Sequence, residues 1–269
     1  MDKQEQAEFL IEALPYIKKY YNKVIVIKYG GSAMTDSKLK SSVMNDVSVL
    51  SALGIKVVLV HGGGPEISDI SKRMGIVPRF VNGLRYTDAE TAEIARMALA
   101  GKVNKSLVDL LESAGCKAVG LCGEDGHMLA CEKMSDELGF VGRIVNVDSR
   151  IIKDMLSLGY VPVISPIGFD AEGNIYNVNA DTAAAAIAGA IGAESLILMT
   201  DIKGLLENKD DPESLIKKVY VSDIPALVKL GIISGGMIPK IECCKEAIRR
   251  GVNKVFITYG RVYHSILVE

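Results

Sequence analysis

A chain of 269 residues, 49% hydrophobic and 24% charged, can bury one large core or two packed lobes and is too apolar for a disordered segment. Its formal charge of −2 shows no excess of basic residues and lends nucleic-acid binding no support, a local basic patch aside. The longest apolar stretch, Ala183 to Ile191, falls well short of a membrane span, and the charged N-terminus lacks a signal-peptide apolar core.

Residues 2–20 read as an amphipathic helix, with Phe9, Leu10, Ala13, Leu14 and Ile17 spaced three or four apart and Pro15 predicting a kink or restart. KVIVIKYGG and KVVLVHGGGP then repeat one plan, an apolar strand running into glycines ahead of a helix. Such uninterrupted runs fit strands buried on both faces of a parallel sheet. Helices are expected around 36–53, 65–74 and 88–114. Strands follow near 117–121 and 160–165, with shorter β segments near 128–133 and 140–146. DAEGNIYN reads as a hairpin turn, followed by the Ala-rich helix NADTAAAAIAGAIGA, the strand SLILMT, a helix from Met237 to Arg250 and the strand KVFIT. This alternation predicts an α/β three-layer αβα sandwich around a mainly parallel central sheet. A lobe boundary is expected near 170–177.

The five cysteines, Cys116, Cys122, Cys131, Cys243 and Cys244, form no C-x-x-C pair and read as reduced thiols of a cytosolic protein. Cys122 lies near His127, but two further ligands at metal-binding spacing are missing, so no protein metal ligands are expected.

The glycine loops carry the chemistry. Lys28-Tyr29-Gly30-Gly31 ends the first strand with a positive charge beside backbone N–H groups that can cradle an anion. By itself this tetrapeptide reads more simply as a tight turn with a snorkelling lysine. His61-Gly62-Gly63-Gly64-Pro65 is rarer, an N–H-lined site at a helix start. HGGG also occurs in esterases, but the G-x-S-x-G elbow that chemistry needs is absent. So are the P-loop, the dinucleotide fingerprint and the protein-kinase signatures. Ser234-Gly235-Gly236-Met237-Ile238-Pro239-Lys240 sets a second lysine one turn into a helix, and Asp181 follows Asn177 and Asn179 at the start of the Ala-rich helix. Alone, Asp181 is a carboxylate favoured by the helix dipole. Three glycine-lined anion sites, two lysines and a carboxylate together are hard to explain as structure alone.

In this order IKYGGSAM, LVHGGGPEI, NGLRYTD, LAGKVNK, IYNVNADTAAAAIA, MTDIKGLL and SGGMIPK resemble the amino-acid kinase superfamily, and within it the branch that phosphorylates N-acetyl-L-glutamate. The resemblance covers essentially the whole chain. It implies transfer of the γ-phosphoryl of ATP to the substrate's side-chain carboxylate, with Mg²⁺ arriving on the nucleotide, as a step of arginine biosynthesis. By that resemblance Lys28 contacts the transferring phosphoryl, Lys240 the leaving side, and Asp181 holds both lysines. Gly30, Gly31 and Gly63 donate N–H bonds to phosphoryl oxygens, Gly62 and Gly64 shape the loop and meet the substrate, and Gly235 and Gly236 form the third turn. Arg85 clamps the α-carboxylate, Asn177 and Asn179 bind the acetylated amino acid, and Thr200, Asp201, Lys203, Gly204 and Leu205 border the nucleotide.

The resemblance further implies an oligomerisation helix at 1–22, an amino-acid lobe at 23–176 and a nucleotide lobe at 177–269. It also implies a cytoplasmic homodimer or homohexamer, feedback inhibition by L-arginine at Tyr16, His264 and Glu269, and a nitrogen-signalling protein as a partner. Two rivals stand beside this reading: a sister kinase acting on an N-acetylated or carrier-linked aminoadipate, and a non-catalytic nucleotide-binding subunit. Intact Lys28, Asp181 and Lys240 weigh against the second.

Overall fold

The computed structural model describes residues 2–267 apart from 35, 209, 210 and 212, and gives the backbone alone for 9, 10, 32 and 33. In chain order its elements are α1 (Lys3–Tyr20), β1 (Val24–Tyr29), α2 (Ser37–Ala52), β2 (Lys56–His61), α3 (Gly64–Arg73), β3 (Phe80–Val81), β4 (Leu84–Arg85) and α4 (Ala89–Arg96). A π-helical segment (Met97–Val103) leads into α5 (Asn104–Ser113). Then come β5 (Ala118–Cys122), β6 (Leu129–Lys133), β7 (Gly142–Val147), α6 (Arg150–Ser157), β8 (Val161–Ser165), β9 (Ile167–Phe169), β10 (Ile175–Asn177), α7 (Ala180–Ile191), β11 (Ser195–Thr200), α8 (Ile224–Lys229), α9 (Met237–Arg249) and β12 (Lys254–Tyr259).

Six strands form one sheet in the order β12-β11-β1-β2-β8-β5, and every neighbouring pair is parallel. Strand alternation divides their side chains between two cores. Val26, Val58, Val60, Leu196 and Leu198 pack against α6, α7 and α9. Ile25, Ile27, Val57, Leu59, Ile197 and Met199 pack against α2 and α5 on the other face. The three layers expected from the sequence are therefore present. A smaller sheet, β10-β9-β6-β7, lies apart from the main one, and its β9–β10 antiparallel pair contains the expected turn.

Two local expectations are corrected. Helix α1 runs on through Pro15 without a restart. Ile11, whose carbonyl Pro15 leaves without its helical donor, is exposed, so water can satisfy it. The helix expected over 88–114 is interrupted by the π-helical turn at 97–103. The short helices α6 and α8 and the β3–β4 hairpin have no counterpart in the sequence expectation.

Candidate active site

Strand β1 lies between β2 and β11, where the chain's crossovers change direction, and such switch points leave a crevice at the strand C-termini. All three loops leaving these ends are those singled out by sequence. Lys28 shares the parity of Val26 and so emerges on the α7 face of the sheet. Asp181 stands in the first turn of α7, capped by Asn179, whose Oδ1 accepts from the Asp181 and Thr182 amides at 2.9 and 3.1 Å.

Lys28 Nζ lies 2.9 Å from Asp181 Oδ1, and Lys240 Nζ, one turn into α9, lies 3.1 Å from Oδ2. The carboxylate thus joins residues from β1, α7 and α9. Burial raises the Asp181 pKa, but the two ammonium charges and their hydrogen bonds outweigh it, and the carboxyl titrates below its ordinary value. It remains ionised, and it holds two cations at the mouth of the crevice.

The first two glycine loops touch each other. A Cβ on Gly62 would sit 3.9 Å from Gly30 Cα, and one on Gly30 would stand 2.8 Å from Lys28 Nζ. Gly31 has a φ of +72° and lies beside the Asp201 carboxylate at the end of β11. The Gly62 amide donates to the Tyr29 carbonyl at 2.8 Å, binding the loops together. Among the described residues, no backbone carbonyl accepts from the Gly30 or Gly63 amide. Gly63 packs against the π-helical turn, where an added Cβ would meet Leu99 Cδ2 at 2.5 Å and Val103 Cγ2 at 3.2 Å.

Arg85 reaches this loop from the β3–β4 hairpin, whose Asn82-Gly83 turn has φ of 49° and 81° at its two central residues. Its Nη2 donates to the Gly64 carbonyl and to Ser68 Oγ, both at 2.8 Å, and its guanidinium covers the Phe80 ring. Its Nη1 is buried without a partner among the described residues, so one arm of the fork is left for a ligand. Asn177 joins the same wall, its Nδ2 donating to Thr87 Oγ1 at 3.4 Å, while Thr87 Oγ1 donates to the Arg85 carbonyl at 3.0 Å.

Other expected residues sit differently. Gly235 (φ +54°) and Gly236 stand at the start of α9, where an added Cβ would meet open space. Thr200 closes a turn onto Ile202, and Lys203 is exposed. Leu205 is turned into the apolar cluster of Ile224, Ile233, Met237 and Ile241, and so supports the loop from beneath. Tyr16 is 69% exposed on α1. His264 is fastened to α2, with Nδ1 2.6 Å from Asp46 Oδ1, and Glu269 lies outside the described residues.

Two buried polar residues lie inside the motifs HGGGP and LAGKVNK but received no role there. His61 and Asn104 are 0% and 1% exposed, and Asn104 Nδ2 lies 3.2 Å from His61 Nε2. The parity of β2 could have marked His61 as buried, because it falls on the Val57–Leu59 face that α5 covers.

The residues from 23 to 259 match the model of the amino acid kinase family. The chain belongs to the amino acid kinase family. Within that family it is 52% identical to an acetylglutamate kinase of Brachyspira hyodysenteriae over 268 residues, covering 99% of this chain and 93% of the relative. An acetylglutamate kinase of Clostridioides difficile is 53% identical over 266 residues, 98% of this chain and 93% of the relative. Among solved structures, carbamate kinase of Giardia lamblia bound to AMP-PNP superposes with a TM-score of 0.68 at 18% identity, covering 92% of this chain and 95% of that one. The fold of this family member is also that of an N-acetylglutamate synthase from Neisseria gonorrhoeae, at a TM-score of 0.82, 23% identity, and coverage of 97% and 60%.

Proposed function

We propose that the chain transfers the γ-phosphoryl of ATP to the side-chain carboxylate of N-acetyl-L-glutamate, forming an acyl phosphate and ADP. The observation that carries this reading is the Lys28–Asp181–Lys240 bridge at the crevice, in a chain whose relatives at about half identity are named acetylglutamate kinase.

The nucleophile is a carboxylate, ionised near neutral pH, so the reaction needs no general base. What it needs is alignment and relief of charge repulsion between two anions. Lys28 offsets the charge of nucleophile and phosphoryl, and the Gly30, Gly31 and Gly63 amides supply fixed dipoles for the equatorial oxygens. Lys240 neutralises the charge growing on the leaving side. Asp181 sets the spacing of the two ammonium groups, and Gly235 and Gly236 bring α9 close to the phosphates. Arg85 grips the α-carboxylate with its unpartnered Nη1. Asn177 and Asn179 hold the acetylated amino group, Asn179 through its amide nitrogen, since its oxygen caps α7. Gly62 and Gly64 shape the loop, while Thr200, Asp201, Lys203 and Gly204 border the nucleotide above Leu205. Mg²⁺ enters with ATP on phosphate oxygens and water. No cluster of three or more metal-ligating side chains stands among the described residues, and Asp181 is engaged by lysines.

In this reading 23–176 carries the amino acid, 177–269 the nucleotide, and 1–22 self-association into a homodimer or homohexamer. Ile11, Leu14 and Tyr16 on exposed faces of α1 support the last assignment. L-arginine inhibition involving Tyr16, His264 and Glu269, a nitrogen-signalling partner and a cytoplasmic location complete the proposal. No helix of the described residues is long and apolar enough to cross a membrane.

Incubation with MgATP and N-acetyl-L-glutamate, with hydroxylamine trapping the acyl phosphate, tests the reaction. Parallel reactions contain glutamate, aspartate and N-acetyl-aminoadipate. Hydroxamate formed mainly from N-acetyl-L-glutamate is expected, and a preference for another acid would overturn the substrate assignment.

A further inference from the structure

We propose that Asn104 is a positioning residue for phosphoryl transfer: through His61 it fixes the Gly62 carbonyl and thereby aims the Gly63 N–H at the phosphoryl group. The proposal rests on the phosphotransfer reading above and adds to it two buried residues that touch neither substrate.

The argument starts at the Asn104 amide. Its Nδ2 lies 2.8 Å from the Val163 carbonyl and 3.2 Å from the Leu121 carbonyl. Two carbonyl oxygens can only accept, so this end of the amide is the nitrogen. Its two hydrogens then serve three acceptors, the third being His61 Nε2 at 3.2 Å. An Nε2 that accepts leaves the ring proton on Nδ1. Nδ1 faces the Gly62 carbonyl at 2.7 Å, where only a donor is useful. Burial lowers the His61 pKa to about 4, against a smaller opposing effect of the Gly62 bond, so the ring is neutral at physiological pH and keeps one donor and one acceptor.

The peptide linking Gly62 to Gly63 is planar and trans, with its C=O and N–H pointing in opposite directions. Holding the Gly62 oxygen against His61 therefore turns the Gly63 N–H away from α5. With the Gly62 amide bound to the Tyr29 carbonyl, both sides of Gly62 are fixed. Leu99 and Val103 of the π-helical turn, the latter next to Asn104 in the chain, close on Gly63. One continuous stretch, 99–104, thus supports the second glycine loop, and π-helical turns are often found where function requires such a local departure.

Folded Asn104→Leu and His61→Leu proteins are expected to lose turnover about tenfold or more, with KM for both substrates changed by less than about threefold, because a phosphoryl N–H donor acts chiefly in the transition state. His61→Asn places Nδ2 where Nδ1 stood and is expected to restore most of kcat. Imidazole nitrogen NMR should give wild-type His61 as the Nδ1–H tautomer and a different tautomer balance in Asn104→Leu. Wild-type turnover in folded His61→Leu, or an Nε2–H tautomer in the wild type, would overturn the proposal. If Asn104→Leu does not fold, the two His61 variants decide. If the wild type phosphorylates no acid, the functional reading fails. The inference is then judged by the tautomer and by the Gly63 amide shift on adding MgATP, expected in the wild type and lost in His61→Leu.

Discussion

Between two ammonium groups the Asp181 carboxylate has opposing influences on its proton, and the outcome has a sign that can be measured. Burial raises its pKa, but the charges and hydrogen bonds of Lys28 and Lys240 together lower it by more, leaving it below 3.8. A depressed carboxylate adds stability that is complete above its unfolded pKa and fades as pH falls through the folded value. The wild type should therefore melt above Asp181→Asn at pH 7, with the gap closing as pH falls below 3.8; a constant gap would reject the ionised bridge. Turnover of Asp181→Asn and of Lys28→Ala should drop by about 100-fold or more with the fold intact by circular dichroism. Gly30→Ala crowds the Lys28 ammonium and should lower kcat without unfolding. Lys28, Asp181 and Lys240 were legible in the sequence because each sits beside a glycine- or asparagine-rich turn, and Arg85 through the resemblance of NGLR to the family's motif. His61 and Asn104 were not, because their meaning lies in a contact across 43 residues that no local pattern records.

At the scale of elements, the stretch from α4 to α5 is where sequence reasoning and structure part. Apolar periodicity marked one helix, since a single π-helical turn hardly disturbs the spacing of buried residues over 25 positions. The turn nevertheless decides what packs on Gly63. Gly63→Ala forces its methyl into Leu99 and should reduce kcat at least about tenfold. Adding Leu99→Ala should recover part of that loss per folded molecule, although Leu99→Ala alone costs about 2–5 kcal/mol of stability. No recovery would place the defect elsewhere than this contact. The β3–β4 hairpin was readable in principle from Asn82-Gly83, which favours the positive φ both residues adopt. Helix α6 was missed because eight residues offer barely two turns of periodicity.

On the scale of the whole molecule, strand–helix alternation predicted the parallel sheet but not its order, because crossovers are chosen by packing between distant segments. That order puts β11 and β12 of the proposed nucleotide lobe in the same sheet as β1, β2, β5 and β8 of the other. The proposed lobes therefore share one six-stranded sheet. Helix α1 meets the α2–α5 core only through Tyr20 at its C-terminal end, and Ile11 is 70% exposed. Ile11→Glu should lower the assembly mass seen by sedimentation while turnover per chain persists; an unchanged mass would remove α1 from the assembly. The sheet also carries a record of Asn104. A Cβ on Gly120, in the middle of β5, would collide with Asn104 Oδ1, and a strand glycine weakens the strand it occupies. Positions 104 and 120 are consequently tied in any evolutionary path. A library randomised at both should return side chains at 120 only in sequences that have first given up the asparagine.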